Sequence, residues 1–172
     1  IEPSALAIRS VNTIVNDDGR LTASNTDYLA VRQLISEHRL NPDDAVLIRG
    51  SGGMASAVGA AFSGAGFHTG VVVARNRDSG QALADRLGYS YAADIEGVTA
   101  PIIVNVTPIG MAGGVGEDDV AFADATIRQA RTVFDVVALP SETPLIAAAR
   151  AAGVDVITGA QVIALQAAEQ FE

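Results

Sequence analysis

From residue 45 onward, short runs of β-branched and aliphatic residues recur between segments of helical spacing. The runs Ala45–Ile48, Thr69–Val73, Ile102–Val106, Thr132–Val137 and Val154–Ile157 are almost wholly apolar, as strands covered on both faces must be. Met54–Ser63, Ser79–Leu87, Thr143–Ala152 and Gln161–Glu172 read as helices. This alternation predicts an α/β fold, a doubly wound parallel sheet whose ligand crevice lies at the carboxyl ends of the strands. The pattern before residue 41 differs. Val11–Val15 and Leu21–Ala23 flank the turn pair Asp18-Gly19 and predict a short hairpin. Ser24-Asn25-Thr26-Asp27 then offers N-cap residues ahead of Tyr28, Val31, Leu34 and Ile35, so a helix is expected to start near Asp27. Asn41-Pro42-Asp43-Asp44 ends it and opens the next unit.

The chain has 172 residues, 49% of them hydrophobic and 18% charged, enough for one core without staples. With no cysteine, disulfides, thiolate metal sites and thiol catalysis are excluded. A net charge of −9 argues against nucleic acid or an anionic membrane surface as a partner. All eleven basic residues are arginine, so the chain contributes no catalytic lysine of its own. The charge-free stretch Gly50–Ala74 is long enough to span a bilayer but carries seven glycines, which excludes a membrane helix. The sequence opens at Ile1-Glu2-Pro3 without a signal pattern and stops at Gln170-Phe171-Glu172 inside an expected helix. It reads as a soluble, cytoplasmic piece of a longer protein.

The first strand of the alternating region runs into Arg49-Gly50-Ser51-Gly52-Gly53-Met54 and a helix rich in small residues. A glycine turn between strand and helix lets backbone approach a diphosphate and aims helix N–H groups at it. The alternative is a tight turn with no ligand. Dinucleotide binders that use NAD place an acid about 20 residues past these glycines for the ribose 2′-hydroxyl. Here the second strand ends in Arg75-Asn76-Arg77 instead, two guanidiniums suited to a 2′-phosphate. NADP is therefore favoured over NAD, although Asp78 follows at once and the pair could also be a solvated loop.

At this point the chain resembles the shikimate dehydrogenase family over nearly its whole length. The matching segments are Val11-Asn12-Thr13-Ile14, Asn25-Thr26-Asp27, Gly50 to Ala55, Asn76-Arg77, Asn105 to Met111, Glu142-Thr143-Pro144-Leu145, and Gly159 to Gln166. The resemblance implies reversible hydride transfer between NADP(H) and C3 of shikimate or a related cyclic hydroxy acid, a step of aromatic amino-acid biosynthesis. It makes residues 1–40 the end of a substrate domain with a linking helix, and 41–172 an NADP-binding Rossmann domain. It assigns Asp27 as the catalytic acid-base partner of a lysine from a preceding substrate domain, so the chain alone is expected to be inactive. On residues alone, Asp27 reads first as a helix N-cap; the resemblance reverses that order, and both roles can coexist. Asn12, Asp27 and Gln166 match the family's substrate-binding positions. Gly50, Ser51, Gly52, Gly53, Met54, Arg75, Asn76, Arg77, Asn105, Thr107, Val136, Gly159 and Val162 match its cofactor-binding ones. No metal is implied, and His38 and His68 match nothing functional and read as surface or loop residues.

The chain departs from the family pattern in places. Ala138 stands where a tyrosine is common, Val162 where a methionine faces the nicotinamide, and Asp78 and Gln81 where the NADP pattern has threonine and a second basic residue. Ala138 and the Arg-Gly-Ser-Gly-Gly-Met run resemble the shikimate dehydrogenase-like subgroup, which leaves the substrate open among shikimate, quinate and relatives. A non-catalytic NADP(H)-binding module and an NAD-using quinate/shikimate dehydrogenase are the alternatives. A Rossmann methyltransferase is disfavoured because the second strand does not end in an acid.

Overall fold

The computed structural model describes residues 11–17 and 19–169. The first ten residues, Asp18 of the expected hairpin turn and the final residues 170–172 lie outside them.

Strands β1 (Thr13–Asp17) and β2 (Arg20–Ser24) form the hairpin, with Thr13 opposite Ser24 and Asp17 opposite Arg20. It leads into helix α1 (Thr26–Glu37). The cap of this helix is Asn25, whose side-chain oxygen accepts the Tyr28 N–H at 3.0 Å. Asp27 is therefore not the cap; it stands in the first turn, where its carboxylate faces a favourable helix dipole.

The alternating region follows as β3 (Val46–Arg49), α2 (Gly53–Gly64), β4 (Gly70–Val73), α3 (Arg77–Leu87), β5 (Ser90–Ala92) and β6 (Ile102–Asn105). Next come α4 (Asp124–Gln129), β7 (Thr132–Asp135), α5 (Pro144–Ala151), β8 (Asp155–Thr158) and α6 (Gly159–Glu169). The sheet order is β5-β4-β3-β6-β7-β8, with every pair parallel. This is the doubly wound Rossmann order. The chain winds one way from β3 and the other way from β6, which opens a crevice between their carboxyl ends.

Side chains alternate across each strand and divide the core in two. Val46, Ile48, Val72, Val104, Phe134 and Ile157 face one cluster with Val58 and Phe62 of α2, Leu83 of α3 and Val162 of α6. Leu47, Val73, Ile103 and Val133 face the other, with Ile127 of α4 and Leu145 of α5. Helix α1 joins the first cluster through Ala30, Val31, Leu34 and Ile35, so it is packed into the same core as the sheet.

Strand β5 and helix α4 were not expected from sequence. The first is a three-residue edge strand and the second a single six-residue helix, both too short for periodicity to show. The expected strand Thr132–Val137 stops at Asp135, because the Asp135 carboxylate captures the Val137 N–H at 3.0 Å and turns the chain. Strand β6 ends by the same device: Asn105 Oδ1 accepts the Thr107 N–H at 3.1 Å.

Candidate functional site

The glycine loop sits at the switch point. Gly50 has φ +129°, and a Cβ there would lie 2.8 Å from Val106 Cγ2 and 2.9 Å from the Val106 carbonyl oxygen. Only glycine lets the loop pass this close to the turn after β6. Gly52 caps α2 without a side-chain bond. Among the described residues, the N–H groups of residues 51 to 55 meet no acceptor. A Cβ added at Gly52 or Gly53 would meet nothing within 4 Å, so these donors face open space. Free N–H groups at the start of a twelve-residue helix, with room above them, fit the diphosphate of a dinucleotide.

Beside the loop, Arg75, Asn76 and Arg77 are exposed at the end of β4. Asn76 caps α3, its Oδ1 accepting the Ser79 N–H at 3.1 Å. The Ser79 and Ser51 hydroxyls lie 2.7 Å apart and tie the start of α3 to the glycine loop. Arg75 and Arg77 make no ion pair among the described residues. Arg49, which the sequence reading did not single out, adds a third guanidinium at this edge and donates to the Ala121 carbonyl. Burial and the positive charge of Arg75 lower its pKa, partly opposed by Asp94. Its place immediately before the glycines was the available cue.

On the other side of the loop lies a cleft of about 370 Å³. It brings together Met54, Thr107, Val136, Gly159, Val162 and Gln166, which come from four separate sequence segments, and adds Val106, Pro108, Met111, Val137 and Ile163. The lining is mainly apolar, with Thr107 and Gln166 as its polar groups, a composition suited to an aromatic ring carrying polar substituents. Gly159 brings α6 against this wall: a Cβ there would lie 2.5 Å from the Val136 carbonyl oxygen and closer still to that of Val137.

Asn105 does not line the cleft. It is fully buried, and its amide serves the protein alone: Nδ2 donates to the Ile109 carbonyl at 3.2 Å and to Asp135 at 3.1 Å, while Oδ1 accepts from the Thr107 N–H and hydroxyl. Asp135, fully buried, also accepts the Thr143 hydroxyl at 2.7 Å, and Thr143 caps α5 by accepting the Ile146 N–H. The sequence reading did not single out Asp135 or Thr143, although an acid at the end of an apolar strand was visible. Burial raises the Asp135 pKa against the opposing pull of these hydrogen bonds. A carboxyl so raised binds its proton more readily folded than unfolded. Its contribution to stability is complete below the ordinary value of 3.8 and is lost as pH rises through the folded value. As pH rises above about 4, the urea midpoint is therefore expected to fall less steeply in Asp135→Asn than in the unsubstituted chain.

Asn12 and Asp27 form a third group. Asn12 Oδ1 accepts from the Thr26 N–H at 2.9 Å and the Thr26 hydroxyl at 3.3 Å. Its amide hydrogen-bonds Asp27, which opposes the upward shift that burial gives the Asp27 carboxyl. A carboxyl with a raised pKa and no capping duty is suited to proton traffic. His38 is not a simple surface residue: it caps the end of α1, is partly buried, and lies 3.3 Å from the Gln161 amide of α6. Among the described residues, no acid or histidine cluster could hold a metal ion, and no helix is long and apolar enough to cross a membrane.

Comparison with known proteins agrees with this geometry. No family model matches the chain. It is 55% identical to a shikimate dehydrogenase-like protein of Haemophilus influenzae over 172 residues, covering 100% of this chain and 64% of that protein. Among solved structures, a shikimate 5-dehydrogenase from Thermus thermophilus in complex with NADP(H) and shikimate superposes with a TM-score of 0.84 at 27% identity, over 99% of this chain and 64% of that one. A quinate dehydrogenase from Corynebacterium glutamicum in complex with NAD gives 0.85 at 31% identity, over 97% and 63%. The chain thus spans a little under two thirds of the length of these relatives and corresponds to their C-terminal part. A Rossmann sheet with a glycine loop at its switch point, a cleft beside it, and this degree of sequence identity make the chain similar, along its whole length, to the C-terminal part of shikimate dehydrogenase family proteins.

Proposed function

We propose that the chain is the cofactor-binding part, with some of the substrate grip, of a cytoplasmic NADP(H)-dependent shikimate dehydrogenase-type oxidoreductase of aromatic amino-acid biosynthesis. The observation that carries this reading is the cleft, where Met54, Thr107, Val136, Gly159, Val162 and Gln166 meet beside a loop of free N–H groups. In this reading residues 1–40 hold the end of a substrate domain and a linking helix, α1, which packs on the cofactor domain formed by 41–172. The backbone of Gly50 to Gly53 and Met54 holds the diphosphate. Arg75 and Arg77, with Asn76 shaping the turn, take the 2′-phosphate. Thr107, Val136, Gly159 and Val162 hold the nicotinamide side, and Asn105 holds Thr107.

When bound, the nicotinamide supplies or accepts the hydride at C3 of the cyclic hydroxy acid. Asn12, Asp27 and Gln166 orient the ring hydroxyls, since an amide can both donate and accept. The substrate oxygen gains charge as its carbon accepts hydride and must gain a proton. Asp27 positions that proton together with a lysine from the preceding domain, because this chain has no lysine.

Calorimetry with the purified chain tests the cofactor. NADPH is expected to bind at least about tenfold more tightly than NADH, because a desolvated phosphate–guanidinium pair is a strong charge-assisted contact. Arg77→Ala should erase most of that difference. A preference for NADH would favour a second reading, an NAD-dependent quinate dehydrogenase. Asp78, in the first turn of α3 directly after Arg77, is the feature that favours it, since an acid there repels a phosphate.

A further inference from the structure

The cleft has a defined hydrogen-bond polarity, and it is set from outside the cleft. Asp135 Oδ1 accepts the Val137 backbone N–H, which can only donate. That oxygen is therefore an acceptor whatever the protonation of the other carboxyl oxygen. The Asn105 amide nitrogen donates to it at 3.1 Å and also to the Ile109 carbonyl, which can only accept, so the Asn105 oxygen is turned toward the Thr107 N–H, which can only donate. The Thr107 hydroxyl gives its proton to that oxygen at 2.6 Å and receives the Ile109 N–H at 3.3 Å. Its proton is thus committed inside the protein, and one lone pair remains.

We propose that Asp135, which is not part of the cleft wall, is the positioning residue that makes Thr107 present an acceptor to the cleft, so that the ligand group docked there is an N–H or O–H donor. The inference rests on the dinucleotide reading of the cleft, and a carboxamide or a ribose hydroxyl both supply such a donor. Thr107 and Ile109 also bond Asn105, but all three residues belong to one turn and shift together. Asp135 is the partner that comes from the neighbouring strand and anchors the amide to the sheet. Through Val137 it also fixes the second wall of the same cleft. An inverted Asn105 would set its oxygen against the Asp135 and Ile109 oxygens and its nitrogen against the Thr107 N–H, leaving several buried groups unpaired.

Two substitutions separate this role from simple support of the fold. Asp135→Asn keeps an oxygen for Val137 and Asn105 but cannot accept the Thr143 hydroxyl at the other position, so it should reduce stability and leave the cleft polarity intact. Asp135→Ala removes both. Binding of NADPH is compared by calorimetry with binding of adenosine 2′,5′-bisphosphate, which lacks the nicotinamide half. Asp135→Ala is expected to weaken NADPH roughly tenfold, the scale of unpaired buried polar groups, and to leave the bisphosphate unchanged. Asp135→Asn should bind both within about twofold of the unsubstituted chain, well inside that scale. If Asp135→Ala fails to fold, Asn105→Ala cuts the same connection and should give the same selective loss. Equal weakening of both ligands, or NADPH binding that follows stability across the variants, overturns the proposal. Amide hydrogen exchange supplies an arm without ligand: loss of Thr107 N–H protection in Asp135→Ala supports the relay, and unchanged protection overturns it. If the unsubstituted chain binds neither NADPH nor NADH, the dinucleotide reading falls and the exchange result alone decides the relay.

Discussion

In a protein of its relatives' full length, Asp27→Asn is expected to lower kcat for shikimate oxidation by roughly 10²–10⁴-fold, the usual contribution of a positioned acid–base group. Substitution of a cap would instead reduce stability, and here Asn25 holds the Tyr28 N–H, so Asp27 is relieved of that duty. Asparagine is nearly isosteric and still bonds Asn12, so the unfolding midpoint should move little. Because burial raises the Asp27 pKa, loss of the carboxyl should also remove one limb of the pH–rate profile. Steady-state kinetics beside urea unfolding decide the matter. An unchanged kcat with a lowered midpoint would return Asp27 to a structural role.

The second large effect is expected at Gly159. Its Cβ position is 2.5 Å from the Val136 carbonyl oxygen, and backbone on both sides leaves nothing flexible to yield. Gly159→Ala is expected to destabilise the chain by about 3 kcal/mol, the upper end for overpacking, and to lower Tm by about 6–12 °C at this chain length. Because Val136 and Val137 line the cleft with Gly159, dinucleotide affinity should fall as well. Gly52→Ala makes the contrast. Its Cβ meets nothing within 4 Å, so stability should stay within about 0.5 kcal/mol. Any loss of affinity then reports the diphosphate cradle alone. Thermal melts of the two variants should differ clearly, and similar melts would contradict the close approach at Gly159.

The sheet was legible because its strands are buried on both faces and so are nearly uninterrupted apolar runs; Val46 to Ile48 and Ile102 to Val104 need no partner to be recognised. Strand ends were less legible, because Asn105 and Asp135 stop β6 and β7 by side-chain bonds to the backbone two residues on. Those bonds carry no periodicity. The glycine loop and the Arg75–Arg77 turn stood out by composition at a defined place after a strand. Asp135 stands at the end of a plainly apolar run, yet its part depends on Asn105 and Thr143, 30 and 8 residues away, and only folding brings them together. The Asn12–Asp27 pair is similar: adjacency across the hairpin, rather than any local pattern, makes the amide a neighbour of the carboxyl.

Helix α1 carries Asp27 yet is built into the same core as the sheet, and its far end reaches Gln161 through His38. On the proposed reading, the carboxylate and the cofactor cleft therefore travel as one rigid body. The hydride path is then set once, at folding, whereas the proton path must be completed anew whenever the lysine-bearing partner closes. If, as that reading implies, the exposed hairpin residues Ile14 and Leu21 face this partner, their substitution should alter a solvent isotope effect and leave the effect of deuterated cofactor in place.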